Sequence, residues 1–385
     1  MVLHLRVVAD LAAQATNNFF MDKDTKNKIL VVSSVVVLSL FFAGYYFYRD
    51  LQRKNFEAEF SVAQALFESG DVEGAKHLFE EAKKRAVDRQ SEIMSSFYLE
   101  VLNYQNDPMG ALRFYKTKSL DESLEKQLRA VAVNGVLSFF IQNYGNVPAM
   151  LEMAKSEVFV GEKWKDFAKD GLQNRDQLKF AIRKAYEWSS ELYSTPESEY
   201  SIASWYADKI KHREVEGDAV DYGDIIEKRI GRGDLAYMVL NYNEKVPSFF
   251  SGFNKILKGL ALEGLFILKR VDQKQVEDNF NEAIAILEAD PGNYLKIQTA
   301  GFARYHLARF FSSASPRGNA EKIESILAPL YTAEGVGVFE FLKFAKDAKA
   351  FQEDPHRNDI IKMAKIDSRF RERLVAIGWN KNEFK

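Results

Sequence analysis

The chain has 385 residues, with 53 Lys plus Arg against 55 Asp plus Glu, a formal net charge of -2 and a pI of about 6.3. Without a positive field there is nothing to gather a polyanion, which argues against nucleic acid as a partner. The absence of cysteine rules out a disulfide framework, a thiolate metal site and a cysteine nucleophile, and is compatible with an oxidising compartment.

Residues 1–28 read as an N-terminal tail. Met21, followed by DKDTKNK and then an apolar run, also has the form of a start site. Residues 29–48 carry no charged side chain and are predicted to span a membrane, since a helix of that length covers roughly 30 Å. Ile29, Leu30, Val35, Leu38 and Phe41 supply the apolar surface, and Tyr45 and Tyr48 place polar-tipped rings at headgroup level. The competing reading is a cleaved secretory signal, against which stand the length of the run and the bulky Phe42 at the only small-residue site near its end. Lys23, Lys26 and Lys28 before the span are matched by Arg49, Arg53 and Lys54 after it, so charge does not set orientation. The freedom from cysteine favours a large C-terminal region lying outside the cytoplasm.

From Phe56 onward the apolar residues keep helical spacing, and no β pattern of comparable strength occurs. Phe56, Phe60, Ala63 and Phe67 share one face. Ser69-Gly70-Asp71 then breaks the pattern, with Asp71 placed to cap a second helix whose face is Val72, Ala75, Phe79, Ala82 and Ala86. Further helices are expected over 92–105, from Pro108 with Asp107 as cap, from Leu124, and over 148–158. Residues 161–246 read as an irregular helical region, because glycines 217, 223, 231 and 233 have the look of loop markers. Hairpins return over 247–335, and 336–385 supply capping helices, expected over 339–351 and 360–377. The predicted class is all-α: one membrane helix followed by an α-solenoid of hairpins, in which each pair buries its face only by stacking on the next.

The hairpins resemble tetratricopeptide repeats. Ala63 and Leu66 have that family's first-helix spacing and Ala75, Phe79 and Ala82 its small, aromatic, small set; Leu260, Gly264 and Ile267 repeat the first and Phe280 and Ala283 the second. With its anchor, the chain is similar to YfgM-type bacterial envelope proteins. That resemblance implies residence in the bacterial inner membrane and a role in protein translocation, chaperone contact or envelope-complex assembly.

Nothing in the sequence has the pattern of catalysis. The five histidines at 4, 77, 212, 306 and 356 are far apart, with no HExxH and no second ligand at metal spacing, so no metal is expected. Gly231-Arg232-Gly233-Asp234 lacks the Lys-Ser/Thr of a phosphate loop and reads as a tight turn, and no GxSxG elbow is present. No cofactor is implied. The expected function is a membrane-anchored scaffold for a protein or peptide partner, with Phe249, Phe250 and Phe253 as the candidate partner surface. The alternative is a permanent structural subunit of a secretion, pilus or motor complex. A concave aromatic groove at Phe253 favours the first and a flat apolar patch the second, whereas a buried Glu in a deep cleft would favour an enzyme such as a cell-wall lyase.

Overall fold

The computed structural model describes residues 49–60, 62–63, 66–67, 71–104, 107–142, 147–212, 219–243, 248–289, 292–315, 318–346 and 355–384. The predicted membrane span, with Ile29, Leu30, Val35, Leu38, Phe41, Tyr45 and Tyr48, lies outside them. Among the described residues the fold is all helical, without a strand, and no helix is long and apolar enough to cross a membrane.

The first hairpin packs α1 (49–60) and the helical residues that follow it against α2 (Val72–Lys84). Ala63, Ala75, Phe79 and Ala82 are fully enclosed, and Leu66 packs on the same cluster. The alanines let the two backbones approach, and the Phe79 ring meets Phe60 edge-on at 5.3 Å. Asp71 caps α2 by accepting from the Gly74 amide at 3.0 Å. α3 (Arg89–Leu102) and α4 (Pro108–Leu120) follow; Asp107 accepts from the Gly110 amide at 2.8 Å and Pro108 occupies the first turn, where its missing N–H costs nothing.

α5 (Lys126–Gln142) lies against α4 and against α8 (Arg175–Leu192), with α6 (Val147–Met153), a π turn at Ala154–Val158 and the short α7 (Glu162–Phe167) between them. Trp164 is fully buried there, its Nε1 donating to Ser119 Oγ at 3.0 Å. Ser189 of α8 donates to Asn134 of α5 at 2.8 Å, and Asn134 donates onward to Thr195 at 3.1 Å. Thr195 is also the cap of α9 (Pro196–Lys211), so one buried polar chain fixes three helices.

Much of 161–246, read from the sequence as irregular, is regular helix among the described residues. α10 runs unbroken over Ala219–Asn243, so Gly223, Gly231 and Gly233 are helix-interior residues and Gly231-Arg232-Gly233-Asp234 is not a turn. Two of these glycines serve contact: a Cβ on Gly233 would meet Tyr200 at 2.5 Å, and one on Gly223 would meet Arg270 at 2.7 Å. α9 packs extensively on both α10 and α11 (Ser248–Ile267), and α11 in turn on α12 (Gln273–Glu288). Gly264 permits the α9–α11 approach, since its added Cβ would meet Ala207 at 2.5 Å.

Phe280 and Ala283 are fully buried, Gly264 is buried and Leu260 is half-buried. Ile267, expected to pack, is instead 49 % exposed. The helix ends directly after it: the Arg270 amide reaches back to the Leu265 carbonyl at 2.9 Å and Lys269 adopts φ 59°, so nothing further of this helix covers Ile267.

α13 (Tyr294–Ala314), α14 (Ala320–Leu327), a 3-10 turn at Ala328–Tyr331, α15 (Val336–Ala345), α16 (Pro355–Ile366) and α17 (Ser368–Ala376) complete the chain. The helix expected over 360–377 is divided at Asp367, which caps α17 through the Arg369 and Phe370 amides and accepts from Tyr331 Oη at 2.7 Å. α15 returns to touch α6, roughly two hundred residues back along the chain.

Candidate functional site

The helices α5, α6, α8, α9, α11, α13, α15 and α16 enclose a half-open cavity of about 370 Å³. Its apolar wall is aromatic and aliphatic: Phe140, Ile182, Phe253, Ile256, Leu257 and Phe302 all border it. Phe253 of the candidate partner surface is therefore in a concave wall. Phe249 and Phe250 lie in the first turn of the same helix, and their side chains fall outside the described residues.

The other wall carries charge. At its rim Arg183 is held between the rings of Trp205 and Phe180, 4.1 and 4.8 Å from their centroids, and pairs with Glu187 at 2.8 Å. Arg175 stands over Phe341 at 5.1 Å. Lys179 pairs with Asp208 at 3.2 Å, and deeper still Glu263 receives both Lys211 at 2.7 Å and Arg309 through two bonds of 2.7 Å. These last groups are almost entirely out of water: the side chains of Arg309, Glu263 and Lys211 are 3 %, 6 % and 9 % exposed.

Helical spacing produces this convergence. Arg175 and Lys179 are one turn apart at the start of α8, Asp208 and Lys211 sit at the end of the antiparallel α9, and His306 and Arg309 are one turn apart on α13. Burial works on each in the direction that disfavours its charge. It lowers the Lys211 ammonium, which Glu263 partly restores. It would raise Glu263 and Asp208, but Arg309 with Lys211 holds the former below the usual carboxylate range, and Lys179 with His356 holds the latter well below it. Burial and the neighbouring Arg309 lower His356 to about 4 and hold His306 well below the usual histidine range, so both rings are neutral at physiological pH.

Asp208, His212 and His356 come together within reach of a single ion, a cluster the scattered histidines of the sequence did not announce. The neighbouring cations oppose a metal there. Arg309 Nη1, which can only donate, lies 2.5 Å from His356 Nδ1 and 3.0 Å from Nε2, so the guanidinium stands against both ring nitrogens, while Asp208 Oδ1 lies 3.3 Å from Nε2. His212 Nδ1 donates to the Asp208 carbonyl at 2.7 Å, and the cations Lys179 and Arg309 adjoin the cluster. The three residues form a hydrogen-bonded chain rather than a donor set for a cation.

A buried carboxyl of raised pKa exists on the far side of Tyr186. Burial pushes Glu197 up to about 7, and its Oε1 accepts from Tyr186 Oη at 2.9 Å. Tyr186 lines the cavity, and Glu197 sits behind it.

Three buried polar atoms find no partner within the protein at this wall: Arg309 Nε, Arg183 Nε and His306 Nδ1. Elsewhere, Leu235, Met238 and Val239 of α10 form an exposed apolar stripe, at 58 %, 61 % and 45 %. No family model, curated protein or solved structure matches the chain.

Proposed function

We propose that the chain is a non-enzymatic scaffold of stacked, solenoid-like helical hairpins, tethered to a membrane by residues 29–48, that holds a protein or peptide partner in the cavity bordered by Phe253. The observation that carries this reading is the concavity itself. An aromatic wall facing a charged one, in about 370 Å³, suits reversible capture of a few partner side chains. A tether of roughly 30 Å of apolar helix would keep such a receptor at the bilayer, where translocation, chaperone contact and envelope assembly take place.

A second reading, permanent assembly into a larger membrane machine, draws support from the exposed apolar stripe of Leu235, Met238 and Val239. A photo-reactive amino acid placed at Phe253, and separately at Leu235, in the full chain in native membranes discriminates the two. Capture of a partner from position 253, lost on addition of excess untagged partner, supports reversible docking. Crosslinks from position 235 alone, in fixed stoichiometry, support permanent assembly and count against docking in the cavity.

A further inference from the structure

We propose that the segment of the partner entering the cavity is acidic: an Asp or Glu side chain beside a bulky apolar residue, its carboxylate seated among Arg309, His306 and Arg175. The proposal rests on the reading that the cavity receives a partner, and adds the chemistry of what it receives.

The charges around the cavity do not balance. Five cations line it, Arg175, Lys179, Arg183, Lys211 and Arg309. Against them stand four carboxylates, Asp208 and Glu340 on the wall and Glu187 and Glu263 in direct contact behind it. With both histidines neutral, one positive charge is left over, and it falls to the half-buried Arg175. Arg175 is the cation for which the described residues supply no carboxylate; its recorded contact is the face of Phe341. Asp359, the remaining acid near Arg309, is already paired with Lys362 at 2.9 Å.

Donors are left over too. Arg309 is 3 % exposed and its Nε meets no acceptor in the protein. One turn earlier His306 Nδ1 is also enclosed and meets no partner in the protein, and it donates in the tautomer that carries the proton there. A neutral occupant would leave the charge unbalanced, and a cation would add to it. A single carboxylate accepts from several donors at once and cancels the one excess charge, whereas a polyanion would overshoot it. The facing wall of Phe253, Leu257 and Phe302 supplies apolar surface for the neighbouring side chain of the same segment.

The test is a selection of short displayed peptides on the full chain held in nanodiscs, repeated on Ser204→Trp, which fills the cavity. The proposal expects cavity-dependent peptides in which Asp or Glu adjoins an aromatic or branched aliphatic residue. Replacing that Glu by Gln in a selected peptide should weaken binding about tenfold, or about 1.4 kcal/mol. Arg175→Gln removes a cation without orphaning a carboxylate, so it should weaken the Glu peptide several-fold and leave the Gln peptide unchanged. Arg309→Met, checked for folding by circular dichroism, should do the same more strongly. Equal binding of the Glu and Gln peptides, or selection of neutral or basic peptides that need the cavity, overturns the acidic segment and leaves docking intact. Absence of any cavity-dependent peptide overturns both.

Discussion

Arg309 donates from Nη2 to both carboxylate oxygens of Glu263, each at 2.7 Å, and joins α13 to α11 in a place neither side chain shares with water. Lys211 of α9 reaches the same carboxylate at 2.7 Å, so one acid serves two cations. Removing the acid and removing one cation are therefore unequal operations. Glu263→Gln leaves two buried cations facing one another and is expected to cost about 3–5 kcal/mol. Arg309→Met leaves Glu263 paired with Lys211 and should cost clearly less. Urea unfolding of the two variants checks the order, and equal losses would show that Lys211 does not share the carboxylate.

The pH dependence of stability should carry the mark of Glu197. Its folded pKa of about 7 is raised above the ordinary value of 4.5 by burial, so the folded state favours the protonated form. The stabilisation is complete below about pH 4.5 and is lost as pH rises through 7, a span on the order of 3 kcal/mol. Buried His306 and His356, whose pKa values are lowered, act in the opposite sense by losing stability as pH falls below their unfolded value. Comparison with Glu197→Gln isolates the carboxyl: the variant should match wild type at pH 5 and exceed it at pH 8. A constant difference across that range would mean that Glu197 is not buried as a neutral acid.

Glycines of α10 and α11 separate helix geometry from contact. Gly231 has nothing within 4 Å of an added Cβ, so Gly231→Ala should stabilise by about 0.5–1 kcal/mol through helix propensity alone. Gly264→Ala would push a methyl to 2.8 Å from the Ala207 Cα and should destabilise by about 1–3 kcal/mol. Thermal melts of both variants test the pair. A destabilised Gly231→Ala would argue that residues 231–234 turn after all.

Zinc should leave the protein unchanged. Arg309 Nη1 stands against both ring nitrogens of His356, and Lys179 already holds Asp208, so an ion at Asp208, His212 and His356 would have to displace both arrangements. Equimolar Zn²⁺ is expected not to shift the melting temperature. A rise of several degrees that disappears in His212→Ala would identify a metal centre.

The class of the fold was legible because its signal is periodic. Ala75, Phe79 and Ala82 recur at helical spacing, and burial follows directly from that spacing. The glycines of 219–243 misled because glycine is used both to turn a chain and to let another helix approach; the sequence pattern is the same, and only Tyr200 on a neighbouring helix distinguishes them at Gly233. Ile267 fits the repeat spacing, but a helix end cannot be located to one residue from spacing alone.

The charged wall was not legible at all as a site. Asp208 and His356 are separated by 148 positions and meet only because α15 and α16 fold back over α9. One signal was present: Arg309 follows Leu307 and Ala308 and precedes Phe310 and Phe311, and Glu263 sits within LALEGLF. A charge in the middle of an apolar helix run calls for a buried partner elsewhere in the chain, and these two residues answer each other.

The most direct test of the account is recovery of partners from gently solubilised membranes by the full chain and by Ser204→Trp, whose indole would occupy the space between α8, α9 and α11. The account predicts that the variant keeps its melting temperature and its membrane attachment but loses the partner held by wild type. Retention of the same partner at the same yield, with the cavity filled, would contradict it.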